Sequence, residues 1–187
     1  MKILFVCTGN TCRSPMAEAI LKDISDYEVK SAGLMAIDGY PASPETIQVL
    51  NEKGIKHQHQ SSQITSELLD WADLVLTMTV VHRDSLKQQF PEHAPSIFTL
   101  KEYVDPEIEV AWKKLTKAYA SLEEAKCQKD TAKQKELIDE INSWEKKMQD
   151  LDISDPFGSN VTTYKKTYDE LAIYLAKLVK KLQNSSS

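Results

Sequence analysis

The chain has 187 residues and a formal net charge of −5 at pH 7. Its length suits one α/β domain with a sizeable core plus an appendage, and its negative charge argues against a nucleic-acid partner or an anionic membrane surface. No apolar run approaches the roughly 20 residues that span a bilayer, and the N-terminus lacks the basic region and cleavage site of a signal peptide. Three cysteines fit a reducing compartment better than a disulfide scaffold, so we expect a cytoplasmic protein.

The first predicted element is a short apolar strand over residues 2–6, which leads into a loop of small residues. That loop has the sequence Cys7-Thr8-Gly9-Asn10-Thr11-Cys12-Arg13-Ser14. The following segment predicts a helix over residues 16–22, with Ser14 as its N-cap and Pro15 at the first helical position. The loop therefore lies at a strand-to-helix junction.

Such a junction forms an anion site, because loop amides and the first helical N–H groups point inward and the helix dipole favours negative charge. The thiolate form of Cys7 is favoured there, and the planar guanidinium of Arg13 can hold two phosphate oxygens. The Cys-x5-Arg spacing lets one loop wrap a phosphoryl group, with Ser14 able to donate a hydrogen bond to the sulfur. A cysteine in a strand is usually a small buried hydrophobe, but its place at this junction favours the chemical role. The NTPase phosphate loop, G-x-x-x-x-G-K followed by Ser or Thr, does not occur in the sequence.

The remaining elements alternate between strands and helices. Strands are predicted over residues 27–32, 73–78 and 97–100, and helices over residues 43–53, 65–71, 79–90 and 161–182. This alternation predicts an α/β fold, a four-stranded parallel sheet flanked by helices, with ligands bound at the carboxyl ends of the strands, where Cys7 lies. Residues 184–187 are predicted to form a disordered tail.

Residues 105–153 have a different composition, without glycine and dense in Lys and Glu. Apolar residues recur there at helical spacings in two groups, Trp112, Leu115, Tyr119 and Leu122, then Leu137, Ile141, Trp144, Met148 and Leu151. One helix of this length would carry the chain roughly 65 Å away from its starting point. We therefore predict an antiparallel helical hairpin turning near residues 128–131, inserted into an α/β domain of residues 1–104 and 154–183. Its aromatic residues either bind a protein partner or a second copy, or only hold the two helices together.

Residues 6–18, with the sequence VCTGNTCRSPMAE, resemble the signature of the low-molecular-weight protein-tyrosine phosphatase family. Within that family the chain is most similar to the bacterial protein-arginine phosphatases, since Thr11 stands where tyrosine-directed members usually carry a bulkier aliphatic residue. The resemblance covers residues 1–104 and 154–182. It implies a metal-free protein phosphatase without cofactor that forms a cysteinyl-phosphate on Cys7. The substrate that it implies is phosphoarginine in proteins, or alternatively phosphotyrosine in proteins.

The resemblance also implies a general acid, an aspartate followed by proline on a late loop. Asp105 and Asp155 both fit this pattern. Asp105 has another explanation, because Asp at the N-cap with Pro at the next position starts a helix. Asp155 lies in a turn between two helices, and Phe157 matches the family's pocket-lining aromatic position. We therefore assign the general acid and base to Asp155, while Phe157 either walls the pocket or is a packing residue.

Other predicted roles follow the resemblance. Thr8, Gly9, Asn10, Thr11, Cys12 and Ser14 line the substrate site, and His59 with Ser31 and Asn10 braces the loop. Cys12 either forms a reversible disulfide with Cys7 or is a buried spectator thiol. His57 and His59 have no third ligand spaced to join them, so no metal site is expected. A thioredoxin-coupled arsenate reductase uses the same loop but needs additional downstream cysteines, and Cys127 has no partner.

Overall fold

The computed structural model describes residues 1–148 and 150–185. The strands are β1 (Lys2–Cys7), β2 (Glu28–Gly33), β3 (Leu74–Thr77) and β4 (Ile97–Thr99). They form one parallel sheet in the order β2-β1-β3-β4. This sheet confirms the α/β fold predicted from the alternation of strands and helices.

Helices surround the sheet and continue into the insertion. They are α1 (Arg13–Ile24), α2 (Pro44–Glu52), α3 (Ser66–Trp71), α4 (Val80–Gln89), α5 (Leu100–Val104), α6 (Pro106–Cys127), α7 (Thr131–Lys147) and α8 (Val161–Ser185). A 3-10 helix, Pro91–Ser96, precedes β4. The short helix α5 and the 3-10 helix were absent from the predicted elements, because neither is long enough to show a helical period.

The side chains of β1 alternate between two hydrophobic layers. Ile3 and Phe5 are fully buried in the layer that contains α1, α2 and α8, whereas Leu4 and Val6 are fully buried in the layer that contains α3 and α4. A strand that is covered on both faces is apolar along its buried length, as β1 is after Lys2. This packing fixes the end of β1 and places Cys7 at the carboxyl edge of the sheet.

The helix starts follow their capping residues, with one exception. Ser43, Thr65 and Thr79 are N-caps whose side-chain oxygens accept hydrogen bonds from backbone N–H groups of α2, α3 and α4. Ser14, predicted to be an N-cap, instead lies inside α1, which begins at Arg13 without a side-chain cap. The Ser14 hydroxyl hydrogen-bonds to the side chains of Cys7 and Asn10 and does not cap the helix.

The insertion forms a second compact unit, Asp105–Leu151. Asp105 and Asp130 are the N-caps of α6 and α7, and Tyr119 of α6 donates a hydrogen bond to Glu145 of α7. The two helices are joined by residues 128–130 and run antiparallel. Their shared core consists of Leu115, Ala118, Leu122, Ala125, Leu137 and Ile141, with Trp144 and Met148 packed against it.

The other unit comprises Met1–Val104 and the chain from Asp152 onward. Ile153, predicted to belong to the insertion, lies in its main core, and the Ile153 N–H donates to the Met78 carbonyl at 2.8 Å. Helix α8 includes Asn184 and Ser185, so the predicted disordered tail begins too early, and residues 186–187 of that tail lie outside the described residues. Within the described ranges, no helix is long and apolar enough to cross a membrane.

Candidate active site

The loop between β1 and α1 curls at the carboxyl edge of the sheet. Its carbonyl groups accept backbone hydrogen bonds from a neighbouring segment, Leu34 N–H to Cys7 and Met35 N–H to Thr8, both at 2.9 Å. The loop opens into a cavity of about 230 Å³ that contains most of the predicted site residues. These are Cys7, Thr8, Gly9, Thr11, Cys12, Arg13, Asp155 and Phe157.

Cys7 lies at the bottom of this loop as a buried free thiol. Its sulfur is 3.0 Å from the Ser14 hydroxyl oxygen. That oxygen also accepts a hydrogen bond from Asn10 Nδ2 at 2.8 Å. Two acceptors are in reach of the Ser14 hydroxyl proton, the Ala32 carbonyl oxygen at 3.4 Å and the sulfur of Cys7, and an ionised sulfur is the stronger of the two. Ser14 can therefore donate to a thiolate at Cys7, and such charge-assisted hydrogen bonds are stronger than neutral ones.

Asn10 holds the loop in an unusual backbone conformation, with φ of 53°. Non-glycine residues seldom adopt this left-handed region unless other contacts enforce it. Asn10 Nδ2 donates to Ser14 and Ser31, and Oδ1 accepts from the Ser62 N–H. The Asn10 carbonyl also lies 2.7 Å from His59 Nε2. The predicted bracing residues thus surround Asn10, which is fully buried.

Arg13 and Asp155 meet at the mouth of the loop. Nη2 of Arg13 donates to Oδ2 of Asp155 at 2.7 Å, and Nη1 donates to the Ile153 carbonyl at 3.4 Å. The other carboxylate oxygen of Asp155 accepts from the Phe157 N–H at 3.1 Å, while the Phe157 side chain is largely exposed at the rim. A carboxylate and a guanidinium therefore converge on the cavity that contains the sulfur.

Cys12 is the second buried free thiol of the loop. Its sulfur lies 3.3 Å from the Tyr164 hydroxyl oxygen and donates to the Ser43 hydroxyl oxygen at 3.7 Å. Burial, followed by the contact with Cys12, raises the pKa of Tyr164 to about 12. Tyr164 therefore stays neutral and can donate to Cys12. This contact joins residues 152 positions apart and was not predicted. The disulfide between Cys7 and Cys12 stays a prediction.

His82 is a further residue whose role the sequence did not indicate. Its Nε2 atom is 2.9 Å from the Thr8 hydroxyl oxygen, and the side chain is buried. Burial, with a smaller contribution from Arg13, lowers the pKa of His82 to about 4, so the imidazole is neutral at pH 7. The available signal was its position in the first turn of the helix after β3, because that helix starts at the same sheet edge as the loop.

Glu18 is also an unpredicted neighbour of the loop. Its carboxylate accepts a hydrogen bond from Ser31 at 2.6 Å, and it lies beside His57 and His59. The expectation that no third metal-ligating side chain joins these two histidines is therefore wrong. Glu18 reaches them because α1 packs beside β2, and this contact between distant segments has no signature in the local sequence.

The comparisons with known proteins agree with this geometry. Residues 2–113 match the model of the low molecular weight phosphotyrosine protein phosphatase family, and the chain belongs to that family. It is 39% identical to a protein-arginine-phosphatase of Geobacillus stearothermophilus, over 97% of this chain and 96% of the relative. It is 33% identical to the low molecular weight protein-tyrosine-phosphatase PtpB of Staphylococcus haemolyticus (strain JCSC1435), over 95% of this chain and 97% of that relative.

A solved structure shows the same likeness. The YwlE arginine phosphatase from Geobacillus stearothermophilus has a TM-score of 0.74 and 38% identity to this chain, covering 98% of it and 94% of that structure. A mutant of YwlE arginine phosphatase with a phosphorylated active-site serine has a TM-score of 0.73 and 36% identity, covering 98% and 96%. The predicted family is therefore confirmed, and the protein is a phosphatase that acts on phosphorylated proteins through a cysteine nucleophile.

Proposed function

We propose that this protein removes the phosphoryl group from phosphoarginine side chains of proteins in the cytoplasm, through a phosphate ester on the sulfur of Cys7. The supporting relatives are the protein-arginine-phosphatases of Geobacillus stearothermophilus and Bacillus subtilis (strain 168), at 39% and 37% identity. The observation that carries the mechanism is the 3.0 Å contact of the Cys7 sulfur with Ser14, in one cavity with Arg13 and Asp155.

In the first half-reaction, the Cys7 thiolate attacks phosphorus opposite the leaving group. The sulfur–phosphorus bond forms as the nitrogen–phosphorus bond of phosphoarginine breaks. Arg13 and the loop amides stabilise the charge on the equatorial oxygens of the phosphoryl group. Because the Arg13 side chain is only 6% exposed, its hydrogen bonds to phosphate are shielded from water and correspondingly strong.

Asp155 supplies the proton in this half-reaction. The guanidine nitrogen is a poor leaving group unless it is protonated as the bond breaks, which makes general acid catalysis valuable. In the second half-reaction the ionised Asp155 takes a proton from water, and the resulting hydroxide attacks phosphorus. The sulfur–phosphorus bond then breaks, Cys7 leaves as the thiolate stabilised by Ser14, and inorganic phosphate is released.

Thr11 is the residue on which we base the substrate class. It lines the cavity beside Cys12, with its hydroxyl oxygen 3.6 Å from the Cys12 sulfur. A small polar side chain leaves room for a guanidinium and offers it a hydrogen-bond acceptor, whereas a larger aliphatic side chain would fill this space. We propose that Thr11 favours phosphoarginine for both reasons.

The test compares phosphate release from phosphoarginine and phosphotyrosine peptides by the wild type and by Thr11→Ile and Thr11→Ser. We expect the wild type to prefer phosphoarginine. In Thr11→Ile this preference should fall at least tenfold, since one added or missing methylene in a pocket already changes discrimination by roughly 10-fold to 200-fold. Thr11→Ser keeps the hydroxyl and should keep the preference. Equal turnover of both substrates, unchanged by Thr11→Ile, would remove the arginine assignment.

Phosphotyrosine is the second candidate substrate. It is favoured by the family description and by the PtpB relative, and also by Phe157, whose side chain is 77% exposed at the rim of the cavity. An exposed aromatic ring in that position can stack on the ring of a phosphotyrosine. A wild type that prefers the phosphotyrosine peptide in the same assay would establish this alternative.

A role for the helical insertion in binding a protein partner or a second copy stays a prediction. Two of its aromatic side chains have contacts inside the insertion, since Trp144 packs against its core and Tyr119 donates to Glu145. These contacts favour the alternative that the aromatic residues hold α6 and α7 together. Replacing residues 107–150 by a short linker tests the binding role, because an unchanged mass in solution and unchanged substrate preference would argue against it.

A further inference from the structure

Three side chains with metal-ligating atoms come together beside Asn10. They are Glu18 of α1 and two histidines of the segment before α3, His57 and His59. One donor atom of each side chain lies within 4.8 Å of the donor atoms of the other two. The Nδ1 atom of His59 is 3.9 Å from Oε2 of Glu18. The imidazole rings of His57 and His59 are stacked, with centroids 5.7 Å apart. The reaction proposed above uses none of these three side chains as acid, base or nucleophile.

His59 is oriented as a metal-bound histidine is. Its Nε2 atom lies 2.7 Å from the Asn10 carbonyl oxygen, which can only accept, so Nε2 must carry the ring proton. The Nδ1 atom therefore keeps a free lone pair on the side of Glu18. Metal-ligating histidines commonly donate their other ring N–H to a backbone carbonyl or a carboxylate in this way, which fixes the tautomer and the ring orientation.

Glu18 is held in a similar way. Its Oε2 atom accepts a hydrogen bond from the Ser31 hydroxyl at 2.6 Å, and its Oε1 atom pairs with Lys22. The Lys22 ammonium opposes a bound cation, but its side chain is 45% exposed and can move into solvent. The Glu18 side chain is only 10% exposed and stays beside the histidines. One carboxylate oxygen and its negative charge are therefore available to a cation.

His57 supplies the observation that points most directly to a ligand. Its Nε2 atom is buried and has no hydrogen-bond partner within the part of the chain that the structure describes. A buried polar nitrogen without a partner is costly, and native structures seldom keep one without a reason. A metal ion among the three side chains would satisfy this nitrogen if Nε2 is the donor atom that His57 contributes.

We propose that Glu18, His57 and His59 form a binding site for a divalent transition-metal ion, best matched to Zn²⁺. Two imidazoles and one carboxylate are a typical donor set for zinc, whereas magnesium and calcium prefer oxygen ligands alone. Tetrahedral zinc requires donor atoms roughly 3.3 Å apart. The donor atoms of the three side chains lie within 4.8 Å of one another, and those of Glu18 and His59 are 3.9 Å apart, so the side chains must close in by about 0.6 to 1.5 Å. A solvent-accessible depression of about 710 Å³ is lined by His57, Gln58 and His59, so the two histidines can be approached from solvent.

The ion would tie α1 to the segment that contains His57 and His59, and both elements hold Asn10 through Ser31 and His59. Metal binding to the folded state alone raises its stability. We therefore expect Zn²⁺ to raise the thermal midpoint by roughly 5 to 10 °C at a hundredfold excess over its Kd. The site supports the loop and takes no part in the transfer of the phosphoryl group.

The first measurement uses Co²⁺ as a spectroscopic probe of the wild type. Ligation by Glu18, His57 and His59 gives visible d–d bands without a thiolate-to-metal charge-transfer band, and Zn²⁺ should displace Co²⁺ at one equivalent. A charge-transfer band instead would place the metal on a cysteine and overturn the proposal. This measurement needs no variant and therefore does not depend on how a substitution affects folding.

The second measurement is calorimetric titration with Zn²⁺ of the wild type, His57→Gln and the control His93→Gln. Within the described residues, His57 Nε2 has no hydrogen bond to the loop, so replacing His57 tests the metal site with little disturbance of Asn10. We expect His57→Gln to weaken Zn²⁺ binding at least tenfold and to abolish the thermal shift, while His93→Gln retains both. Equal Zn²⁺ affinity in the wild type and His57→Gln would overturn the proposal.

Discussion

Arg13 and Asp155 are joined by a 2.7 Å ion pair between a guanidinium that is 6% exposed and a carboxylate that is 52% exposed. The proposed reaction needs Arg13 for the phosphoryl oxygens and Asp155 for the leaving group, so the pair must open when substrate binds. Because Asp155 is half in solvent, its release costs less than the separation of a fully buried pair. The dianionic phosphoryl group then takes the place of the carboxylate on Arg13.

Replacing Asp155 with Asn removes the general acid while Arg13 remains to bind the phosphoryl oxygens. We expect kcat for a phosphoarginine peptide to fall about 10²-fold to 10⁴-fold, because the leaving nitrogen is no longer protonated. The loss should be smaller for the first step with p-nitrophenyl phosphate, whose leaving group is stable as an anion. A burst of p-nitrophenolate followed by slow turnover would show that the cysteinyl-phosphate accumulates.

Asp105→Asn is the matched control for this prediction. Asp105 also precedes a proline but serves as the N-cap of α6, where its side chain accepts from the Glu107 N–H. Its kcat should equal that of the wild type. A large loss in Asp105→Asn together with normal turnover in Asp155→Asn would transfer the acid to the other aspartate.

Ser14→Ala tests the hydrogen bond to the nucleophile. Without the hydroxyl at 3.0 Å, the Cys7 thiolate loses a donor, and hydrogen bonds to charged groups contribute about 1.5–3 kcal/mol. We expect the rate of inactivation by iodoacetate at neutral pH to fall roughly tenfold to a hundredfold, together with kcat. Ser25→Ala, which removes a hydroxyl bonded to the Leu21 carbonyl at the end of α1, should react at the wild-type rate.

Local chemistry explains which elements could be predicted from the sequence. Thr79 and Ser43 mark helix starts because an N-cap acts on N–H groups two or three residues away. Ser14 looks the same in the sequence, but its hydroxyl is held by Cys7 and Asn10, so α1 starts at Arg13 instead. Tertiary hydrogen bonding overrides the local preference there.

The candidate site likewise contains residues that a local pattern predicts and residues that only tertiary contacts bring together. Cys7 and Arg13 belong to one loop, and their spacing alone predicts an anion site. Asp155 lies 142 residues from Arg13, and the resemblance to a family was needed to choose it over Asp105. His82 meets Thr8 across 74 residues, and this contact arises only when α4 packs against β3 and β4. The sequence indicates it only through the position of His82 in the first turn of the helix after β3.

Gly33→Ala should disturb the phosphate loop, because Gly33 is the last residue of β2 and faces the loop backbone. A Cβ atom at Gly33 would lie 2.5 Å from the Thr8 carbonyl oxygen and 2.9 Å from the Asn10 nitrogen, and both are backbone atoms that cannot rotate away. We expect a loss of stability of about 1–3 kcal/mol, as in other overpacked sites, and a lower kcat because the loop shifts. Urea unfolding and steady-state kinetics measure the two effects.

Gly9→Ala is the control for stability in this comparison. Its added Cβ would meet only the Thr11 hydroxyl oxygen, at 3.8 Å, which is an ordinary contact. The free energy of unfolding of Gly9→Ala should therefore stay near that of the wild type. If Gly33→Ala is as stable as Gly9→Ala, the close approach of β2 to the loop does not constrain the loop.

His82→Gln tests how the free energy of unfolding depends on pH through His82, the buried residue that contacts Thr8 of the loop. The pKa of His82 is lowered from 6.5 to about 4 in the folded protein, mainly by burial, so the unfolded chain binds the extra proton first. The neutral imidazole contributes its full stability above pH 6.5, and this contribution is lost as the pH falls towards 4. Between pH 7 and pH 5 the loss amounts to roughly 2 kcal/mol.

Gln can keep a hydrogen bond to Thr8 but does not titrate, so the variant should lack this part of the pH dependence. Urea unfolding at pH 7 and pH 5 measures it: the wild type should lose about 2 kcal/mol more than His82→Gln over this interval. Equal losses in the two proteins would mean that His82 accepts a proton as readily in the folded chain as in the unfolded one. Its contact with Thr8 would then not depend on a neutral imidazole.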